Sequence, residues 1–247
     1  MRVGFFVTCL VDLIRPRIGF AALRLLRETG AEIHVPRAQT CCGQPAYNSG
    51  DREGARELAE KFTHEFQGCD AVVAPSGSCA GMVRVHYPHL FDRGSKLLNT
   101  VSQLASRTYE LTDFLTRVAK IERVPGKFQG SVTYHDSCSG LRELGVQGQP
   151  RGLLAKIPGL RLVEMEESTT CCGFGGTFSV KFGDISVRMA DNKCARIAAT
   201  GADAIVAGDL GCLMNIEGRL RRRGDEKTQV LHVAEVLAGS DPNEPCK

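Results

Sequence analysis

The feature that most constrains this chain is a cysteine doublet that occurs twice in the same setting. Cys41-Cys42-Gly43 lies in QTCCGQPA (39–46), and Cys171-Cys172-Gly173 lies in TTCCGFGGTF (169–178). The flanking sequence repeats with them. VGFFVTCLVD (3–12) lies over SVTYHDSCSG (131–140), CDAVVAPSGSC (69–79) over ADAIVAGDLGC (202–212), and YELTDFLTR (109–117) over LHVAEVLAG (231–239). The offsets are 129, 130 and 133 residues for the cysteine-bearing matches and about 122 for the last. Four features in one order imply two homologous halves, expected at 1–124 and 125–247. They join near ERVPGKFQG (122–130), where Pro125, Gly126 and Gly130 break regular structure. The chain has 247 residues, enough for each half to bury a core of its own.

Each half reads as strands alternating with helices. RVGFFVTC forms the first strand. RIGFAALRLLRETG (17–30) has Phe20, Leu23 and Leu26 at helical spacing and Gly30 as a cap. AEIHVP is a strand ended by Pro36, and GDREGARELAEKFTHEF (50–66) is an amphipathic helix. DAVVAP is a short continuous apolar strand of the kind buried on both faces of a parallel sheet. The expected fold class is α/β, with two tandem lobes, each a small mainly parallel sheet flanked by helices. Cys9, Cys79, Cys138 and Cys212 then fall at or just beyond carboxyl ends of strands, and both doublets lie in loops after second strands. Ligand sites collect at that sheet edge.

Eleven cysteines, an odd number in a chain of this length, fit a reducing compartment better than a disulfide scaffold. In the first half Cys9 is followed after 31 residues by the doublet, and after 36 more by Cys79. In the second half Cys138 is followed after 32 by the doublet, and after 39 by Cys212. Four thiolates per half suit a Cys₄ zinc site or an iron–sulfur cluster. Glycines beside the doublets let backbone N–H groups approach a negative centre. Cys69 and Cys194, unmatched between the halves, and Cys246 in the tail read as small hydrophobes. GFGGTF does not meet the GxGxxG nucleotide pattern. A nucleophilic dyad of His135 and Cys138 is weighed against the fact that Phe6 stands where the first half would need the histidine. No catalytic residue is assigned. His135 and Asp136 are candidates to orient or tune the ligands, and Arg142, Lys181 and Arg188 to hold a substrate carboxylate, though solvation is the commoner fate of such residues.

Composition removes other classes. A net charge of +3, 6% aromatics and no Trp argue against nucleic-acid binding. Arg219-Leu-Arg-Arg-Arg223 reads as a solvated helix end. No apolar stretch approaches the ~20 residues needed to cross a bilayer, and Asp12 interrupts the mildly signal-like N-terminus. A cytoplasmic protein is expected.

The doubled pattern Cys…Cys-Cys-Gly…Cys resembles the cysteine-rich CCG-domain family, of the type found in heterodisulfide reductase. It does so through VTCLVD, CCGQPAYNSG, PSGSCAGMVR, YHDSCSGLRELG, CCGFGGTFSVKFGDIS and AGDLGCLMNIEGRL, which span almost the whole chain. The subgroup it is most similar to serves lactate utilization. The resemblance implies an iron–sulfur redox subunit of a multi-component system oxidising L-lactate to pyruvate. The implied partners are a larger protein with cubane iron–sulfur motifs and a further small subunit. In that family each complete five-cysteine motif holds a non-cubane 4Fe-4S cluster, its adjacent cysteines serving different irons. Here the closing Cys-x-x-Cys has become Ser76-x-x-Cys79 and Asp209-x-x-Cys212. The expectation is therefore a 4Fe-4S cluster in the second half on Cys138, Cys171, Cys172 and Cys212, with Asp209 as an added oxygen donor. Cys9, Cys41, Cys42 and Cys79 would hold iron–sulfur or zinc. The alternative is a zinc-stabilised, non-redox scaffold that docks the catalytic partner.

Overall fold

The computed structural model describes residues 1–239; Cys246 lies outside them. Two sheets, all parallel, carry the fold. β1 (Arg2–Phe5), β2 (Glu32–His34), β3 (Ala71–Ala74) and β4 (Thr108–Glu110) run in the order β2-β1-β3-β4. β5 (Gly130–His135), β6 (Leu160–Leu162), β7 (Ala204–Ala207) and β8 (Gln229–His232) repeat it as β6-β5-β7-β8. The inner strands AVVA and AIVA are buried throughout, because helices cover both faces. Phe5 pairs with Val73, and His135 with Ala207, so the central strands of each sheet end level with one another. That shared edge is where the cysteine segments emerge.

The first strand stops at Phe5 rather than continuing to Cys9. Thr8 turns the chain with φ +73°, and Cys9 opens the helix Cys9–Ile14. The helix predicted over 17–30 spans Pro16–Arg27, with Pro at its first turn. It buries Ile18, Ala21, Ala22, Leu25 and Leu26, while Phe20 is 56% exposed. Small residues outweigh the large aromatic here because this face meets another helix, Val233–Ala238, at close range. The helix predicted over 50–66 runs Arg52–Phe66, and Asp51 caps it by accepting from the Gly54 N–H at 2.9 Å.

The lobes are packed tightly together. One core runs through both, joining Val3, Phe5 and Leu25 to Val132, Val206, Leu231 and Leu237. A second, around Phe6, Phe62, Phe66 and Tyr87, lies mainly in the first lobe and takes in Leu144 and Val146 of the second. Helix Gly77–Gly81 meets helix Cys138–Leu144 at their glycines: a Cβ on Gly77 would sit 3.0 Å from the Gly140 Cα. Arg15 pairs with Glu217 at 2.6 Å and Arg17 with Glu235 at 2.5 Å across the interface. Among the described residues no helix is long and apolar enough to cross a membrane.

Candidate metal centre

Each doublet sits in a loop held by two devices that recur in both lobes. The glycine after the doublet has a positive φ, +81° at Gly43 and +87° at Gly173, which returns its N–H toward the preceding sulfur. Gly43 N–H donates to Cys41 Sγ, and Gly173 N–H to Cys171 Sγ, both at 3.4 Å. The carbonyl of the second cysteine is pinned from a following helical segment. Tyr87 Oη donates to the Cys42 carbonyl at 2.9 Å, and Asn215 Nδ2 to the Cys172 carbonyl at 2.8 Å.

The structure gathers the predicted sulfurs of each half. In the first lobe Cys9 Sγ lies 3.8 Å from Cys41 Sγ, and Cys42 Sγ 3.5 Å from Cys79 Sγ. These separations are about twice a disulfide bond, and all ten described cysteines are free. In the second lobe the sulfurs of Cys172 and Cys212 and a ring nitrogen of His135 lie within 4.8 Å of one another. Cys138 and Cys171 complete the set. The thiols respond to one another as crowded donors must. The Cys41 thiol is lowered to about 2 by hydrogen bonds from Cys42 and Cys9, and Cys171 to about 2 by those from Cys138 and Cys172. Cys9 and Cys138 are pushed up by the hydrogen bond to that thiolate and then by burial. Cys42 and Cys172 are pushed up by the same thiolate, by a second sulfur contact with Cys79 or Cys212, and then by burial. Four sulfurs that cannot all ionise side by side are a donor set that a soft cationic centre would complete. The residues present thus fit a thiolate-ligated metal centre in both lobes.

Ser76 and Asp209, which stand in place of the missing cysteines, face each other across the lobe interface. Ser76 Oγ donates to Asp209 Oδ2 at 3.1 Å, and Ser78 N–H donates to the same oxygen at 2.9 Å. Each also caps its own helix. Ser76 Oγ accepts from Cys79 N–H at 3.2 Å, and Asp209 Oδ1 from Gly211 N–H at 3.1 Å. A cavity of about 280 Å³ opens onto Cys138, Cys171, Cys172 and Cys212, and another of about 140 Å³ onto Cys9, Cys41, Cys42 and Cys79. Gln44, Asn48, Ser78, Phe174, Gly176 and Asp209 line both, so the two thiol clusters face one cleft between the lobes. Among the described residues no Arg or Lys lines either cavity, and His86 is engaged with Glu143 at 3.3 Å. Arg142, Lys181 and Arg188 are exposed and line neither. An open groove of about 340 Å³ outside Cys9 and Cys41 carries Arg37 and Asp12.

His135 is fully buried with no hydrogen-bond partner on either ring nitrogen, and burial lowers it to about 4, so the imidazole is neutral. Asp136 is committed elsewhere: Arg151 grips it bidentately at 2.7 and 2.9 Å, and Ser168 Oγ donates to it. Sequence reasoning missed Lys193, which is 1% exposed. Its Nζ donates to the carbonyls of Glu167 at 2.8 Å and Ser168 at 3.3 Å, and its charge is felt at His135 and Cys212. The repeat could have revealed it. Gly43 rests against Ala55 and Leu58 as Gly173 rests against Ser186 and Met189; in that register Phe62 is the counterpart of Lys193. Cys69 and Cys194 are buried in the apolar cores. Arg219 and Arg223 of the basic run pair with Asp191.

The sequence matches the Cysteine-rich domain family, CCG, over residues 3–84 and 132–217. It is 48% identical over 237 residues to Lactate utilization protein A of Geobacillus sp. (strain WCH70), covering 96% of this chain and 99% of that protein. It is 46% identical, with the same coverage, to Lactate utilization protein A of Bacillus subtilis (strain 168). Among solved structures, a hypothetical protein from Helicobacter pylori superposes with a TM-score of 0.68 over 98% of this chain at 12% identity. The chain spans about half of that protein's length (49%), and the likeness is one of fold.

Proposed function

The chain belongs to the cysteine-rich CCG domain family, and from that premise we propose that it is the iron–sulfur redox subunit of a multi-component system that uses L-lactate. The observation that carries the proposal is the convergence of four cysteine sulfurs at the sheet edge of each lobe, both sets opening on one cleft. Cys138, Cys171, Cys172 and Cys212 would hold an iron–sulfur centre, 4Fe-4S in the family pattern, and Cys9, Cys41, Cys42 and Cys79 a second. Such a centre supplies one-electron storage at a potential that its surroundings set. What the chain itself supplies is positioning: doublet loops pinned by Tyr87 and Asn215, and N–H donors aimed at sulfur.

Electron relay suits this geometry better than substrate oxidation at a cluster. A 2-hydroxy acid carries a carboxylate, and neither inter-lobe cavity offers an Arg or Lys to receive it. The larger cubane iron–sulfur partner and the further small subunit are part of the same proposal. The exposed apolar side chains Val180, Phe182, Ile185 and Val187, just beyond the second doublet, offer such a partner a surface. The name that the relatives carry supports lactate as the substrate class.

The test is anaerobic purification of the full chain with iron, acid-labile sulfide and zinc analysis and EPR. Iron and sulfide with a reducible EPR signal are expected. A colourless protein with stoichiometric zinc would replace this reading with the scaffold alternative. The relay reading adds that Arg37→Ala leaves lactate-dependent electron transfer in the assembled system intact; a large loss would make the groove at Cys9 a substrate site.

A further inference from the structure

The walls behind the two thiol clusters differ in kind. In the first lobe Phe6 and Phe62 stack edge to face with centroids 5.0 Å apart, and both pack in the same core cluster as Cys42. In the second lobe the two corresponding places are His135 and Lys193. Both are buried, and Lys193 bears on His135, Cys172 and Cys212. An aromatic pair has thus been exchanged for a neutral imidazole with two unpartnered nitrogens and a buried ammonium.

Replacing two large apolar side chains inside a core by polar ones is costly unless something nearby receives them. Lys193 donates to two carbonyls, so backbone accounts for part of its need. His135 finds nothing among the described residues, and a ring nitrogen is within 4.8 Å of the Cys172 and Cys212 sulfurs. The group that would satisfy it is the one those sulfurs hold. Two carboxylates lie nearby. Asp136 is ion-paired with Arg151. The charge of Asp209 is felt at Cys138 and Cys212 and opposes Lys193 there, but one of its oxygens is taken by Ser76 and Ser78 of the first lobe.

Resting on the assignment of metal centres above, we propose that the two centres are poised at different potentials, the second being the electron-accepting one, and that Lys193 and His135 set the difference. Adding an electron makes a thiolate-ligated centre more negative. A buried cation lowers the energy of that state, and an apolar wall raises it. A single electron entering the chain therefore rests on the second centre. That centre is reduced by one electron, its donor is oxidised by one, and no atom is transferred.

The test is an anaerobic, EPR-monitored redox titration of the full chain with dithionite. Cys42→Ser removes the first centre and Cys172→Ser the second, which assigns each signal. The centre left in Cys42→Ser should have the higher midpoint. Lys193→Gln retains an amide to donate to the loop carbonyls but removes the charge. It should lower that midpoint alone by at least a tenfold change in the one-electron equilibrium, about 59 mV. His135→Phe, which restores the first lobe's residue, should shift it in the same direction. Should Lys193→Gln not fold, the ordering of the two midpoints decides. Equal midpoints, a higher first centre, or no response to Lys193→Gln overturns this inference while leaving two iron–sulfur centres in place. Finding no redox-active iron at either site overturns the assignment it rests on as well.

Discussion

At the scale of single residues, Asp209 and Gly173 show how much one atom decides. Both Asp209 oxygens are occupied, one capping its own helix and one bridging to the other lobe. We expect Asp209→Asn to keep the full metal content and to cost about 1–2 kcal/mol, as a weakened cap and a weakened interface bond would. Loss of iron from the second site would instead make the carboxylate a ligand. Gly173 is more demanding than its twin. A Cβ there would lie 2.7 Å from the Ser186 carbonyl oxygen, whereas at Gly43 the nearest atom is 3.4 Å away. Gly43→Ala pays mainly for a left-handed φ, ~1 kcal/mol. We expect Gly173→Ala to cost at least twice that and to weaken metal retention in the second lobe. Equal effects, read by thermal unfolding and metal analysis, would contradict the tighter seat.

At the scale of elements, the fourth strand of each sheet ends in a buried titratable cap. Glu110 Oε2 accepts from Thr112 N–H at 2.7 Å and Asp113 N–H at 3.1 Å. His232 Nδ1 accepts from Ala234 N–H at 3.1 Å, while Glu235 Oε2 accepts from His232 N–H at 2.8 Å. Burial drives the pair in opposite directions, Glu110 up to about 7 and His232 down to about 3. The raised carboxyl binds its proton more tightly in the fold than when unfolded. Its stabilisation is complete below about 4.5 and is lost as pH rises to about 7. The depressed imidazole acts conversely: its contribution is intact above about 6.5 and is lost as pH falls toward 3. We expect Glu110→Gln to gain on the parent protein by roughly 3 kcal/mol between pH 4.5 and 8. A difference in unfolding free energy that does not change over that range would mean that the carboxyl is not protonated in the fold. His232→Gln should show the opposite slope below pH 6.5. Neither cap stood out in the sequence, because a lone Glu or His before an apolar turn looks like surface until the packing that buries its strand end is known.

At the scale of the molecule, the lobes share a core, an interdigitated helix pair and a bridge at Asp209. We expect one cooperative unfolding transition, the same by far-UV circular dichroism and by calorimetry, rather than two. Residues 1–124 alone should be poorly soluble, since the Ile18, Ala22 and Leu25 face would lose the helix that covers it. Two resolved transitions, or a soluble and folded first half, would show that the lobes are independent. The doubled topology was legible because strand and helix periodicities recur in register. Helix facing was not, as Phe20 shows: the burial of that face depends on a helix that lies more than two hundred residues away in the chain.

By itself the sequence determined the repeat, the α/β class and the eight paired cysteines. Each is written in local periodicity or in residue types that recur at matching intervals, and a parallel sheet must bring strand ends to one edge. Only the tertiary structure decided what surrounds the sulfurs. It turned the two replaced cysteines, Ser76 and Asp209, toward each other rather than each into its own lobe alone. It also set Lys193 and His135 behind one doublet where two phenylalanines stand behind the other. Those neighbours come from helices and strands far apart in the chain. Their effect depends on burial, which raises the energy of an unpartnered polar group or charge and which no single stretch of residues encodes.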